Sequence, residues 1–273
     1  MIDFTGKLVY ITGGSSGIGL ACAKELAVLG ADVALLARNP ETLRTTAEDV
    51  KAHRQGHSQN VFVVSVDVSD PVDVEAKMAW AVAEFGAPDI LINSAGINKY
   101  ANHFDRITAD MFDEVMKTNV YGVRHVTAAL LAPMKPKKGH VVILSSAAGL
   151  FGMFGYTAYA TSKAALLGFA ESLRYELKPL GMTVTVICPP EVDTPMNVEE
   201  AKTLPPEGRA MKSMAGLLTP EYTANTIIKA ISRKKFFCIP GFTTSFLYFF
   251  HRLTNGRVSR IVSDVVVRIA RRK

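Results

Sequence analysis

Cysteine and tryptophan are scarce in this chain, whose 273 residues include three cysteines and one tryptophan. Cys22, Cys188 and Cys238 are far apart in sequence and lie among apolar residues, so they form neither a disulfide framework nor a metal-binding motif. Among the six histidines, His53 and His57 have helical spacing, in a polar stretch that we interpret as a solvated helix end. The sequence therefore predicts a reducing compartment and no resident metal.

Long apolar runs are also missing. The richest stretch, residues 236–250, is interrupted by Pro240 and Gly241 and is shorter than the ~20 residues that a membrane-spanning helix needs. The first predicted strand begins at Lys7, which leaves no room for a signal peptide. The chain contains no internal repeat, low-complexity tract or acidic run. We therefore expect a folded protein in the cytoplasm.

Short segments rich in β-branched and apolar residues alternate with helical patterns along the chain. This alternation predicts a Rossmann-type, doubly wound α/β fold with a seven-stranded parallel sheet and helices on both faces. Ligands of such sheets bind beyond the carboxyl ends of the strands. We predict a single domain over residues 1–240 and a carboxy-terminal extension over 241–273. The predicted strands are 7–12, 32–37, 61–66, 90–93, 140–145, 183–188 and 236–239.

The first predicted strand leads into a glycine-rich turn and then into a helical pattern. The free N–H groups and the positive dipole end of a helix N-terminus bind phosphate, and glycine lets the backbone approach the anion. A flexible turn is the alternative, but the second strand that follows favours a dinucleotide site. The residues predicted to form this phosphate site are Gly13, Ser15, Ser16, Gly17, Ile18 and Gly19.

The end of the second predicted strand indicates which dinucleotide binds. An NAD site usually carries an Asp or Glu there for the ribose, whereas the 2′-phosphate of NADP requires a cation. This chain has Ala37 followed by Arg38, whose guanidinium can pair with a phosphate. Arg38 as a solvated loop charge is the alternative, but its position favours NADP(H).

Tyr159 and Lys163 lie at positions i and i+4 of a predicted helix over 156–177, and therefore share one face. An exposed surface pair is the alternative reading of this spacing. An ammonium beside the phenol would lower the pKa of Tyr159 from its usual value of about 10 and favour general acid-base catalysis. Ser146 precedes Tyr159 by 13 positions, and its neighbour Ser145 competes with it for a catalytic role.

Taken together, these motifs resemble the short-chain dehydrogenase/reductase family over about residues 5–240. The resemblance implies that Tyr159 transfers the proton, Ser146 steadies the substrate oxygen, Lys163 also holds the nicotinamide ribose, and Asn119 anchors a water in a proton relay. Dimers or tetramers are usual in that family, so we expect a homodimer or homotetramer in which the helices predicted at 110–134 and 156–177 pair, with a monomer capped by the apolar tail as the alternative. We also predict that Asp67 and Val68, after the third strand, contact the cofactor. The motifs that carry the resemblance are Thr12-Gly13-x-x-x-Gly17-x-Gly19, Asn93-x-Ala95-Gly96, Asn119, Ser146 and Tyr159-x-x-x-Lys163.

Within this family, the region after the sixth strand is similar to the 3-ketodihydrosphingosine reductases, since it reads Pro-Pro-Glu-Val-Asp-Thr-Pro over 189–195. This resemblance implies NADPH-dependent reduction of the 3-keto group of a long-chain sphingoid base. Val192 and Thr194 would contact the nicotinamide carboxamide. Thr42 departs from the subgroup, which tends to carry a second basic residue there. Reduction of another hydrophobic carbonyl, such as a steroid or a short aldehyde, and a non-catalytic NADP sensor are the alternatives.

The formal net charge of +6 is concentrated in the tail, because residues 251–273 contain seven Arg or Lys and one Asp. An apolar stretch followed by a cationic helix over 258–273 predicts a peripheral anchor on anionic lipid. Closure of the substrate pocket or of a subunit interface is the alternative. The tail lacks the aromatic and basic interleaving of a nucleic-acid platform. The polar segment 195–218 predicts a lid loop with flexible methionines, with ordinary packing as its alternative.

Overall fold

The computed structural model describes residues 3–214 and 216–272. Its centre is a seven-stranded parallel sheet in the order β3-β2-β1-β4-β5-β6-β9, which confirms the predicted doubly wound fold. A separate pair, β7 and β8, lies after the sixth strand. The strands are β1 Leu8–Thr12, β2 Asp32–Ala37, β3 Val61–Ser65, β4 Ile90–Asn93, β5 His140–Leu144, β6 Thr183–Ile187, β7 Glu191–Val192, β8 Leu217–Leu218 and β9 Phe237–Cys238.

Helices cover both faces of this sheet because side chains of the buried strands alternate between the two faces. Tyr10 of β1 faces one apolar cluster, whereas Val9 and Ile11 face the other. The described helices are α1 Gly17–Val28, α2 Pro40–Lys51, α3 Pro71–Phe85, α4 Ala109–Met116, α5 Gly122–Met134, α6 Thr157–Leu177, α7 Pro195–Ala201, α8 Pro206–Lys212, α9 Pro220–Ser232, α10 Phe242–Leu253 and α11 Arg257–Ala270.

Three helices begin with a side-chain N-cap followed by proline. Asn39, Asp70 and Thr219 each accept a hydrogen bond from the first turn of the helix that follows, and a proline occupies the first helical position. Such caps satisfy free N–H groups, and proline has no N–H to lose at that position. They start α2 and α3 within a few residues of β2 and β3, so that the carboxyl edge of the sheet stays open.

The predicted helix over 110–134 is interrupted. A π-helical segment, Lys117–Tyr121, joins α4 to α5 and contains Asn119. Such wide turns are rare in proteins, but those that do occur are often found at functional sites. The amino-acid composition of this segment does not indicate one.

The segment 195–218 differs from the predicted lid loop. Pro195 begins α7 and Pro206 begins α8, while Leu217 and Leu218 pair with β7. Each helix has seven residues, too few for stability in isolation, so tertiary contacts must hold them. The sequence therefore predicts a polar loop in a segment where the structure has two short helices.

The tail forms two helices, α10 and α11. The predicted final strand shortens to β9, and the predicted cationic helix begins at Arg257, one residue early, with Lys273 outside the described residues. Across residues 3–214 and 216–272, no helix has both the length and the apolar character to cross a membrane.

Candidate active site

The turn between β1 and α1 brings backbone segments into close contact. Gly13 has φ +65°, and a Cβ there would lie 2.9 Å from the backbone of Ala95. A Cβ on Gly19 would lie 2.3 Å from the carbonyl oxygen of Gly13, so a side chain at Gly19 would clash with the backbone. Glycine is therefore required at both positions.

Hydrogen bonds fix this turn to the next strand of the sheet. The hydroxyl oxygen of Thr12 accepts hydrogen bonds from the backbone N–H groups of Ser94 and Ala95, both at 3.1 Å. Ser16 begins α1, and its side chain makes no capping hydrogen bond to the first turn. The first turn of α1 thus offers N–H groups to a ligand at the carboxyl edge of the sheet.

Tyr159 and Lys163 lie on one face of α6, as their spacing predicts. The Lys163 ammonium nitrogen is 5.6 Å from the centre of the Tyr159 ring and donates a hydrogen bond to the carbonyl oxygen of Leu144 at 2.9 Å. Only 4% of Lys163 is exposed, which rules out a solvated surface pair. Gly96 is also close, because a Cβ there would lie 3.4 Å from the Lys163 ammonium.

The two adjacent serines after β5 have different environments. The Ser145 hydroxyl donates to the carbonyl oxygen of Lys163 at 2.7 Å, which fixes α6 to the end of β5. The Ser146 hydroxyl accepts a hydrogen bond from the backbone N–H of Ala148 at 3.1 Å and lies beside Tyr159. Of the two, Ser146 is therefore the one whose hydroxyl adjoins the phenol.

Asn119 is completely buried within the π-helical segment. Its side-chain amide donates to the Ile97 carbonyl oxygen at 3.0 Å and to the Ser162 hydroxyl at 3.0 Å, and its oxygen accepts from the Ile97 N–H at 2.8 Å. Asn119 therefore joins the loop after β4 to α6, close to Lys163.

The pKa values in this region are shifted chiefly by burial. Burial raises the pKa of Tyr159 above its ordinary value, the Ser146 hydroxyl lowers it, and the Glu200 carboxylate adds to the rise. Burial lowers the pKa of Lys163 to about 8. The direction for Tyr159 is opposite to the sequence-based expectation, because burial disfavours the charged phenolate and is the largest cause of the shift in its pKa.

One cavity runs from the amino-terminal end of α1 to the face of α6 that carries Tyr159. Among the predicted site residues, its lining includes Gly13, Ser16, Gly17, Ile18, Ala95, Gly96, Ser146, Tyr159, Lys163, Val192 and Thr194. We call it the central cavity. Residues separated by up to about 180 positions in sequence thus meet at the carboxyl edge of the sheet, as expected for this fold.

Seven other predicted residues do not belong to this lining, and they are Ser15, Gly19, Arg38, Asp67, Val68, Asn93 and Asn119. Arg38 is exposed just beyond β2. The Asp67 carboxylate accepts hydrogen bonds from the backbone and hydroxyl of Ser69 at 2.9 and 2.7 Å. Asn93 is buried and donates to the Thr127 hydroxyl at 3.2 Å, so its amide connects β4 to α5.

A polar cluster on the far side of the central cavity was not predicted. Glu191, Glu200 and Lys212 line this side, together with Tyr156 and Asn197. Glu200 accepts hydrogen bonds from the Tyr156 hydroxyl and from Lys212, the latter at 2.6 Å. The sequence carries no signal for this cluster beyond the adjacent acidic residues at 199–200, because its members come from separate segments of the chain.

The residues of the central cavity fit a dinucleotide. A backbone cradle that tolerates no side chain at Gly13 or Gly19 adjoins the uncapped first turn of α1. The cavity then leads directly to Lys163 and Tyr159. A pyrophosphate at the helix N-terminus and a nicotinamide beside Tyr159 would follow this path, with Gly96 and Lys163 beside the ribose.

The fold and the arrangement of this cavity define an oxidoreductase of the doubly wound class. The family model described as "short chain dehydrogenase" matches residues 7–205. The chain therefore belongs to the short-chain dehydrogenase/reductase family.

Curated relatives agree with this assignment. The mouse 3-ketodihydrosphingosine reductase is 39% identical over 226 residues, which cover 82% of this chain and 68% of the relative. The zebrafish 3-dehydrosphinganine reductase is 38% identical over 230 residues, covering 84% of this chain and 69% of the relative. The 3-oxoacyl-[acyl-carrier-protein] reductase of Escherichia coli is 33% identical over 196 residues, covering 71% of this chain and 77% of the relative.

Solved structures show the same fold. A short-chain dehydrogenase/reductase from Burkholderia phymatum, crystallised in complex with NAD, superposes with a TM-score of 0.81 at 26% identity, over 95% of this chain and 96% of that one. Levodione reductase superposes with a TM-score of 0.79 at 27% identity, over 87% of this chain and 96% of that one.

Proposed function

We propose that this oxidoreductase reduces the ketone of a long-chain lipid, with NADPH as the cofactor and 3-ketodihydrosphingosine as the substrate. The observation that carries the proposal is the meeting of Ser146, Tyr159 and Lys163 in one cavity that begins at the phosphate-binding turn. The names of the mouse and zebrafish relatives support the choice of substrate.

The glycine-rich turn would hold NADPH, which when bound would supply the hydride that reduces the substrate ketone. Tyr159 donates its phenolic proton to the carbonyl oxygen, and its raised pKa keeps the phenol protonated at neutral pH. Ser146 binds the same oxygen through its hydroxyl. Lys163, held by the Leu144 carbonyl, provides positive charge beneath the phenol, and Asn119 positions the loop after β4 beside α6.

The experiment that tests the substrate varies the alkyl chain. Purified protein with NADPH should reduce 3-ketodihydrosphingosine with a kcat/KM at least about tenfold above that of ketones without a long alkyl tail, since each buried methylene contributes about 0.8 kcal/mol. Equal kcat/KM across chain lengths would contradict the lipid assignment. Higher activity with a steroid or a short aldehyde would support the alternative of another hydrophobic carbonyl.

The preference for NADPH rests on Arg38. Its exposed guanidinium follows β2, next to the turn where the backbone N–H of Gly14 bonds the Leu36 carbonyl. Arg38→Asp should shift the ratio of kcat/KM for NADPH over NADH by about tenfold or more towards NADH, because a carboxylate repels the 2′-phosphate. Arg44→Asp, on the exposed part of α2, serves as the control. An unchanged ratio in the Arg38 variant would refute the assignment.

A peripheral membrane contact is the second part of the proposal. We assign residues 1–240 to the catalytic domain and 241–273 to a lipid-binding extension, at the cytoplasmic face of a membrane. No residue of α11 is buried, and its exposed apolar side chains recur with helical spacing along one face. The exposed apolar residues of this extension are Phe242, Phe246, Leu247, Phe249, Phe250, Leu253, Val258, Ile261, Val262, Val265 and Ile269.

Charge favours an anionic lipid surface over a second subunit as the occupant of this face. Arg257, Arg260 and Arg268 lie on the same helix as the apolar face, and all three are exposed. The homodimer or homotetramer expected to pair through α5 and α6 is a separate prediction, and Leu167 of α6 lines a cleft together with His251 of α10 and Arg260 of α11.

Co-sedimentation with vesicles tests the contact. Ile261→Glu should reduce binding to phosphatidylglycerol vesicles about tenfold, since it places a charge in the apolar face. Val72→Glu, a substitution of an exposed residue on α3, is the matched control and should bind like the wild type. Equal sedimentation of both variants would refute the anchor, and binding to neutral vesicles alone would contradict the role of the arginines.

A further inference from the structure

The polar cluster on the far side of the central cavity has more negative than positive charge. Lys212 contacts Glu200 at 2.6 Å and Glu191 at 3.0 Å, and it also donates to the side-chain oxygen of Asn197. These contacts use all three N–H donors of the ammonium. One cation thus faces two carboxylates, and the cluster carries a net charge of −1.

Lys163 is the remaining charged residue in the described lining of the cavity. Its ammonium donates to the Leu144 carbonyl and lies beneath the Tyr159 ring. Among the residues described in this lining, Lys212 is thus the one cation in contact with the two carboxylates.

Burying this excess charge is unfavourable unless something compensates it. Glu200 is only 5% exposed, and its second carboxylate oxygen accepts from the side-chain amide of Asn98 at 2.8 Å. Glu191 accepts from Asn197 at 2.7 Å with the same oxygen that faces Lys212, and among the described residues its other oxygen has no hydrogen-bond donor. A carboxylate oxygen with free acceptor capacity therefore lines the cavity.

The cluster adjoins the reacting position. Tyr156 donates its hydroxyl proton to Glu200, and the Tyr156 ring centre is 5.9 Å from that of Tyr159. Glu200 also raises the pKa of Tyr159, as expected for a negative charge close to the phenol. Tyr156 thus connects Glu200 to the ring of Tyr159, and the carboxylates line the same cavity as the phenol that would meet the substrate carbonyl.

We propose that Glu191 and Glu200 are specificity-determining residues that bind a protonated amine on the carbon next to the substrate ketone. The inference rests on the proposed function and deepens it, since it restricts the substrates to amino ketones. The ammonium would neutralise the excess charge and use the open oxygen of Glu191. Lys212 sets the geometry by holding α8 against α7 and β7, so that the carboxylates face the cavity.

Calorimetric binding to the NADP-loaded protein tests the inference without requiring turnover. The ligands are a water-soluble, short-chain sphinganine and the same diol without the amine. The wild type should bind the amine at least about tenfold more tightly, because a hydrogen bond to a buried charge contributes up to about a hundredfold in affinity. Glu191→Gln and Glu200→Gln should each remove most of this preference while binding the amine-free diol as before.

Glu199→Gln is the matched control, because Glu199 is the exposed neighbour of Glu200 on α7 and pairs with Lys202. Thermal unfolding of each variant checks that the fold is retained. If Glu200→Gln is unstable, binding to Glu191→Gln still decides the test. A wild type without amine preference, or a preference that both variants keep, would overturn the inference. Turnover of long-chain ketones tests the proposed function separately. Failure of the proposed function can therefore be distinguished from failure of the inferred amine recognition.

Discussion

The two sides of the central cavity are built in different ways. On the proposed dinucleotide side, backbone at the ends of neighbouring parallel strands forms the wall, and Gly13 and Gly19 have no room for a side chain. On the proposed substrate side, side chains from β7, α7 and α8 form the wall through ion pairs such as Lys212 with Glu200. The first side is rigid because the buried sheet holds it, whereas the second depends on contacts between two helices of seven residues each.

This difference indicates where each kind of specificity resides. A backbone cradle binds the part that all dinucleotides share, since N–H groups recognise phosphate whatever else the ligand carries. Side chains on short helices can change without disturbing the sheet, so they are suited to selecting a substrate. Tyr159 also lines this cavity, and we propose that it transfers the proton in the reaction.

The largest effect is expected at Tyr159. Tyr159→Phe removes the proton donor and should lower kcat by about 100-fold to 10,000-fold, with NADPH affinity nearly unchanged. Tyr175→Phe is the control on the same helix, because Tyr175 is 61% exposed and its hydroxyl donates to Glu171 at 3.3 Å, outside the central cavity. Steady-state kinetics measure both variants, and a kcat within about threefold of wild type for Tyr159→Phe would refute the mechanism.

A backbone change on the dinucleotide side should come next in size. Gly19→Ala forces a Cβ to within 2.3 Å of the Gly13 carbonyl oxygen, so the turn must shift. Overpacking of this kind costs about 1–3 kcal/mol, and NADPH binding should weaken by about tenfold or more. Gly168→Ala, on α6 with open space around it, is the control and should be as stable as wild type or more so. Fluorescence titration with NADPH would detect the difference.

The pH dependence on the dinucleotide side follows from Lys163. Burial lowers its pKa to about 8, so the side chain is cationic below that pH and neutral above it. As the pH rises through about 8, the positive charge is lost, and kcat/KM for NADPH should fall about tenfold per pH unit. A flat profile of kcat/KM between about pH 7 and pH 9.5 would contradict a role for this charge.

The smallest effect on NADPH binding is expected on the substrate side. Lys212→Met leaves the largely buried Glu191 and Glu200 without their cation, so it should lower the free energy of unfolding by about 3 kcal/mol and raise the KM for the ketone, with NADPH affinity unchanged. Lys202→Met is the control, since Lys202 is 61% exposed at the end of α7. Urea denaturation and ketone kinetics measure the pair. If Lys212→Met changed the affinity for NADPH instead, the two sides of the central cavity would not act independently.

Much of the fold was accessible from the sequence because its signals are local. Each strand of the sheet was predicted to within two residues at either end, since short β-branched runs bounded by turn residues are typical of buried parallel strands. The glycine turn, Ser146 and the Tyr159–Lys163 pair were predicted for the same reason. Each lies at the end of one strand or on one face of one helix, so its residues are close together in the sequence. Their roles in binding and catalysis remain predictions.

Three-dimensional packing decided the rest. Nothing in the sequence near Asn119 indicates a π-helical turn, and nothing pairs Lys212 with Glu191 before the chain is folded. The raised pKa of Tyr159 likewise depends on how deeply α6 packs, which spacing alone does not give. The sequence by itself determined the sheet, the phosphate-binding turn and the order of the motifs, because those features depend on residues close together in the chain. Only the tertiary structure decided the charge and shape of the substrate side, because burial and ion pairing arise between segments that are distant in sequence.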